Sequence, residues 1–342
     1  MIRLSSLAFI VLSALIAGFL AGCSGSKESE MDSRLVWPGP PDTPRIAYVK
    51  SLKGEDDFSS GLGGVLNTIA GNKGDIKFQR PFDVCIADSG RIYLTDAMLG
   101  VIEYDMKRRE VNPIGEFVGV DMKDPRGIAY AHGKVYVGVA NLGQVIVIDG
   151  KGRGIGKIGR ANQFPNPLDI VADTVRSRIY IVDNRRHQVF VYSEKGDSLF
   201  TIGHRGSGEG EFNFPESAAI DSHGNLFVVD VFNYRIEEFD TTGRYIRSFG
   251  KQGDAYGTFA RPKGIAIDSH DNFYVLDGLH NNFQIFDSNF DLLMFVGHYS
   301  PNNDGFQNPV SIAIDRSNTI YVTDNLNQRI QVFQLLEDQT KK

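Results

Sequence analysis

From residue 81 onward the chain alternates between short apolar runs and clusters of polar, turn-forming residues. Long runs with the 3.6-residue period of an amphipathic helix are missing. The most regular stretch is 212–250, FNFPESAAIDSHGNLFVVDVFNYRIEEFDTTGRYIRSFG. Within it, 217–221 is a short apolar run, 222–225 a polar turn and 226–230 a second run. An alternating third run follows at 235–240, a turn at 241–243 and an alternating fourth run at 244–250. Runs of this length, rich in β-branched and aromatic residues and separated by turn residues, predict four short antiparallel strands. One such sheet cannot bury both of its faces, so it needs copies of itself.

The copies are present. A proline opens a short apolar strand six times, at Pro81, Pro125, Pro167, Pro215, Pro262 and Pro309, with spacings of 44, 42, 48, 47 and 47 residues. A second strand ends in an acid at Asp96, Asp183, Asp230, Asp277 and Asp324; the second unit departs, with VYVGVAN there. An alternating third strand follows in every unit and a fourth in units one to five. Glycine-rich loops such as GHRGSGEGEF then lead to the next proline. Four short strands repeated every 40–50 residues predict an all-β, six-bladed β-propeller of four-stranded antiparallel blades.

The last unit stops after three strands, which would leave an exposed strand edge. The missing strand is at the other end of the chain. RIAYVKSLKG, beginning at Arg45, matches the fourth strand RYIRSFGKQG. Residues 45–52 are therefore expected to complete blade six and close the ring, so that the propeller spans 45–335 and a tail 336–342 remains. Trp37, in the stiff lead-in WPGPP, is expected to pack on the blade edge. Residues 58–70 read as a short helix capped by Ser59 or Ser60.

Ahead of this, residues 1–22 have one basic residue, Arg3, and an apolar run from Leu7 to Leu20 too short for a comfortable membrane span. Leu20, Ala21, Gly22 and Cys23 resemble the bacterial lipobox. The resemblance implies cleavage after a signal peptide 1–22, acylation of Cys23 and anchoring to a membrane by several acyl chains. Ser24 after the cysteine is similar to an outer-membrane sorting signal of the bacterial envelope. Residues 23–44 then form a lipidated tether. Cys85, the other cysteine, lies in an apolar strand and is read as a small core residue.

The patterns P-x-G-I-A-I-D, Y-V-x-D, R-I-x-V-F-D and G-x-x-G-x-x-x-x-F resemble the NHL repeat over about residues 71–335. With the lipobox and the closing strand, the chain is similar to bacterial six-bladed NHL lipoproteins. That resemblance implies a propeller used mainly as a binding platform.

Site candidates follow from strand order. The loops before strand one and after strand two fall on one face and are the long, variable ones. Candidates for partner binding at the mouth of the channel are Asp83, Arg126, Asp169, Glu216, Ser217, Lys263 and Ser311, just after each proline. In the second-strand loops they are Arg185, Arg186, His187, Phe232, Tyr234, His280 and Asn327. The strand-ending aspartates resemble a metal ring but are read as acceptors for turn N–H groups, with Arg235 and Arg329 placed to pair with them. The residues four after each proline, Cys85, Ala129, Val171, Ala219, Ala266 and Ala313, are expected to offer little chemistry inside the bore. No catalytic set, metal site or cofactor is assigned, and no H-x-H or H-E-x-x-H occurs. A net charge of −6 argues against a nucleic-acid scaffold. The leading expectation is a lipid-anchored, non-enzymatic module of the cell envelope that binds a protein, peptide or glycan. The alternative is a metal-dependent hydrolase or lyase, resembling gluconolactonases or amidating lyases, with its site at the channel mouth.

Overall fold

The computed structural model describes residues 35–58, 76–87, 89–114 and 121–336. These residues form six antiparallel sheets in a closed cycle. Each sheet runs from an inner first strand, opened by its proline, to an outer fourth strand. The first strands are Pro81–Ile86, Pro125–Ala131, Pro167–Asp173, Pro215–Ile220, Pro262–Ile267 and Pro309–Ile314. Each packs beside the first strands of its two neighbours, and the first strand of blade six packs beside that of blade one.

The expected closure is present. Ile46–Leu52 pairs antiparallel with Arg329–Leu335, from Ile46 opposite Leu335 to Leu52 opposite Ile330. Blade six is thus assembled from both ends of the repeat region. The lead-in does more than extend: Val36–Trp37 adds a fifth strand outside the closing strand. The Trp37 ring meets Phe333 edge-on at 5.7 Å. Glu55–Phe58 is a 3-10 turn, and the helix expected at 58–70 falls largely on 59–75, outside the described residues.

The core lies between blades. Tyr180, Val182 and Val191 of blade three, for example, pack against Ala218, Leu226 and Phe239 of blade four. Along each first strand, the residue three after the proline faces the preceding blade. Val84 packs with Ile330 and Val332, and Ile265 with Phe227 and Val229. The next residue faces the following blade, as Ala129 does toward Ile170 and Ile179. This corrects the expectation for the small-residue row. Cys85, Ala129, Val171, Ala219, Ala266 and Ala313 do not line the bore; they are small because two blades converge there. Burial raises the Cys85 thiol well above its ordinary pKa, as befits a core residue.

The glycine-rich loops also have a packing role. Each fourth strand of blades two to five ends at a glycine, and the phenylalanine closing the loop folds back over it. Phe164, Phe212, Phe259 and Phe306 are all fully buried. At Gly203, φ is +78° and an added Cβ would lie 2.3 Å from the Phe212 ring. Both the backbone angle and the ring contact therefore require glycine there.

Candidate functional site

Two features build the face that carries the long loops. The first is a set of carboxylates that clamp the loops. Asp96 accepts the N–H groups of Gln79 and Arg80 from the loop before strand one, and those of Met98 and Leu99 from its own turn. Asp277 does the same for Ala260, Arg261, Leu279 and His280. Asp183 accepts from Asn166 and Arg186. Asp230 and Asp324 each add an ion pair, to Arg235 at 3.1 Å and Arg329 at 2.8 Å. These buried acids join the two loops in every blade but the second, where Val139 takes the position. Burial raises the pKa values of Asp183, Asp230 and Asp324, opposed by the hydrogen bonds they accept.

The second feature is a bulge. In all six first strands the ladder register breaks directly after the proline. The first unpaired residue is Phe82, Arg126, Leu168, Glu216, Lys263 or Val310; in blades two and four Gly127 and Ser217 are unpaired as well. A bulge turns a side chain out of the ladder. Here all six line a cavity of about 430 Å³ at the mouth of the channel.

The residues two after each proline form the throat below and tie blade to blade. Asp83 accepts the N–H of Ile128 in blade two at 2.7 Å and the hydroxyl of Ser311 in blade six. Asp169 accepts the Ser217 hydroxyl and the Ala218 N–H at 2.7 and 2.8 Å. Gly127 sits between these acids; a Cβ on it would lie 2.5 Å from the Asp169 Cα. Burial, with the nearby Asp169 carboxylate, pushes the Asp83 pKa up to about 8. Asp169 is raised as well, chiefly by burial.

The charged bulge residues are partly engaged. Arg126 pairs with Asp124 at 2.8 Å and lies over the Phe82 ring at 5.0 Å, leaving its buried Nε without a partner. Lys263 is 8% exposed and donates to the Asn308 side chain at 2.7 Å. Burial lowers its pKa, opposed by Glu216; burial raises Glu216, opposed by Lys263 and Arg261.

All seven residues read from the sequence as lying just after the prolines line this cavity. The second-strand loop residues do not. Arg185 and Arg186 are exposed. His187 is buried and its Nδ1 accepts the Phe214 N–H. Phe232 packs edge-on against Phe214 while staying 49% exposed. Tyr234 closes its turn with a left-handed backbone. His280 lies 3.5 Å from Asp277, and Asn327 donates to Asp324 and the Ser300 carbonyl. From these loops the cavity takes instead Ala97, Asn184 and Asn325. The sequence reading also missed Phe82, Leu168 and Val310; their shared place directly after a proline was the available signal. His204 and His298 pair locally with Glu211 and Asp304. Among the described residues no three His, Cys, Asp or Glu side chains are grouped to hold a metal ion. Cys23 lies outside the described residues.

Comparison with known proteins agrees with this architecture. Residues 170–240 match a family described as 6-bladed beta-propeller, and residues 306–333 match the NHL repeat. The chain is a six-bladed propeller, and the last of its blades carries the match to the NHL repeat. No curated protein matches the sequence. Several solved structures share the propeller. A streptogramin B lyase is 12% identical, with a TM-score of 0.57 over 78% of this chain and 84% of its own. A catalytically inactive virginiamycin B lyase from Staphylococcus aureus with quinupristin is 17% identical, with a TM-score of 0.58 over 78% of this chain and 83% of its own. An auxiliary nutrient binding protein from Bacteroides thetaiotaomicron is 17% identical, with a TM-score of 0.57 over 76% of this chain and 70% of its own. At these identities the likeness concerns the fold alone.

Proposed function

We propose that this propeller is a non-enzymatic binding module, held to a bacterial envelope membrane by lipid on Cys23, that takes its ligand at the channel mouth. The observation that carries the reading is the sixfold bulge. It turns one side chain from every blade into a single cavity of about 430 Å³. The acids that resemble catalytic groups have other work. Asp96, Asp183, Asp230, Asp277 and Asp324 clamp loops, while Asp83 and Asp169 tie first strands together. A rigid frame with varied side chains around one opening suits recognition. Outer-membrane placement is part of the proposal and rests on the lipobox and Ser24.

Two experiments test it. Labelling cells with an alkyne palmitate should tag the wild-type chain and not Cys23→Ala; equal labelling would remove the anchor. Detergent-purified full-length protein should then be screened against peptide and oligosaccharide arrays, with bound ligands followed by mass spectrometry. Ligands should be recovered unchanged, and Lys263→Glu should weaken binding. Metal-dependent conversion of a bound ligand would favour a lyase or hydrolase instead.

A further inference from the structure

The cavity and the loops around it are not symmetric. Four cations line the mouth: Arg80, Arg126, Arg261 and Lys263. The whole chain carries a net charge of −6, so this grouping runs against the average. Four acids line it too, but their positions differ. Asp83 and Asp169 face the wall, where backbone N–H groups and serine hydroxyls hold them. Asp124 pairs with Arg126, and Glu216 lies 3.8 Å from Arg261. Among the described residues no carboxylate forms an ion pair with Arg80 or Lys263, and the Arg126 Nε–H has no acceptor. Apart from Glu216, which faces Arg261 without a hydrogen bond, the unused charged hydrogen-bonding capacity at the mouth is that of cationic donors.

Beside the mouth stands an apolar crescent. Two residues after the strand-ending aspartate, blades four, five, six and one carry Phe232, Leu279, Leu326 and Met98. They are 49%, 65%, 61% and 67% exposed. These four blades are consecutive around the ring, because the first strand of blade six packs on that of blade one. The equivalent positions in blades two and three are polar, Asn141 and Arg185. Large apolar side chains repeated at one exposed position on adjoining blades mark an interaction surface rather than scattered exposure.

We propose that this face docks an acidic, apolar-flanked peptide segment of a partner protein, its carboxylate entering the mouth beside Arg126 and Lys263 and its apolar side chains resting on the crescent. The inference rests on the binding reading above and names the ligand class. Carboxylates are the partners that cationic forks and ammonium groups hold best at short range. Leucine and methionine offer a peptide apolar contact, whereas a glycan would be better served by flat aromatic platforms and more neutral donors. An extended segment crossing the crescent satisfies both halves of the site.

The test uses heptapeptide pools on immobilised full-length protein in detergent. One pool combines acidic with apolar residues, one basic with apolar and one neutral polar with apolar. Each is made with a free C-terminal carboxylate and again as the amide. The acidic pool should be retained at least tenfold above the basic pool. Arg126→Gln with Lys263→Gln, and separately Leu279→Asp with Leu326→Asp, should each lower that retention at least tenfold. The leucine pair is exposed, so it tests the surface even where the cavity variants fold poorly. Retention of the free-acid form alone assigns the carboxylate to a chain terminus, and retention of both forms to a side chain; either supports docking. Equal or better retention of basic or neutral peptides, still sensitive to the cavity variants, would overturn the acidic assignment and leave the binding reading standing. Retention indifferent to both variant pairs, or absent for every pool, would overturn the docking proposal; the array screen then decides the binding reading alone.

Discussion

Replacing Glu237 with glutamine should stabilise the propeller at alkaline pH and leave it nearly unchanged in acid. Glu237 lies on the third strand of blade four with its side chain fully buried. One oxygen, Oε1, accepts the Gly210 N–H at 3.3 Å and meets Arg235 at 3.1 Å; Oε2 has no hydrogen-bond partner. Burial pushes its pKa from 4.5 up to about 7. A raised acid pKa means that the folded state holds the proton more tightly. Its contribution is fully present below pH 4.5 and is lost as pH rises through about 7. At about 1.4 kcal/mol per unit, the loss approaches ~3 kcal/mol by pH 8. Blade five shows what glutamine does at this position. Gln284 accepts the Gly257 N–H at 2.6 Å and donates to the Thr258 carbonyl at 2.9 Å. Glu237→Gln places an amide against the equivalent Gly210 N–H and Glu211 carbonyl. Arg235 keeps Asp230 and the Gly208 carbonyl as partners. Equilibrium urea unfolding, followed by circular dichroism and by the fluorescence of Trp37, the single tryptophan, should give a stability difference between variant and wild type. That difference should grow by about 2–3 kcal/mol from pH 5 to pH 8. A difference independent of pH, or destabilisation at pH 8, would refute the reasoning.

Other outcomes follow from the same contacts. Ile46→Ala in the closing strand removes a fully buried side chain and should destabilise by about 2–5 kcal/mol in urea unfolding; an unchanged midpoint would mean that the ring does not depend on this strand. Asp324→Ala leaves Arg329, 3% exposed, without its carboxylate and should lose about 3–5 kcal/mol, with faster amide exchange at Gln307. Gly127→Ala drives a Cβ against the Asp169 backbone and should destabilise by about 1–3 kcal/mol, measured as a lowered thermal midpoint; wild-type stability would show that the throat relaxes. Gly203→Ala combines a positive φ with a clash on Phe212 and should likewise lower the thermal midpoint, whereas Gly39→Ala, in open space, should not.

Most of the site was legible because position in a repeat is a local property. The loops before strand one and after strand two share a face whatever the side chains are, so Asp83, Arg126, Asp169, Glu216, Ser217, Lys263 and Ser311 followed from counting after each proline. Phe82, Leu168 and Val310 share that place but were passed over, because apolar residues inside an apolar strand read as core. The bulge that exposes them depends on how six first strands crowd together. The second-strand loop candidates differed for a similar reason: His187 and Asn327 are polar residues turned inward to serve backbone groups of the same face.

By itself the sequence determined the strand order, the number of blades and the closure of the ring, since each is written in a period and a length that survive any packing. It also marked the strand-ending aspartates as acceptors for turns, which is chemistry within one loop. Which side of each first strand faces a neighbour, and which faces the bore, was decided only in the assembled structure. Alternation names two faces of a strand but not what lies opposite them. In a closed ring both faces meet other blades, and the bulged residue, released from the ladder, joins the loop residues that line the mouth.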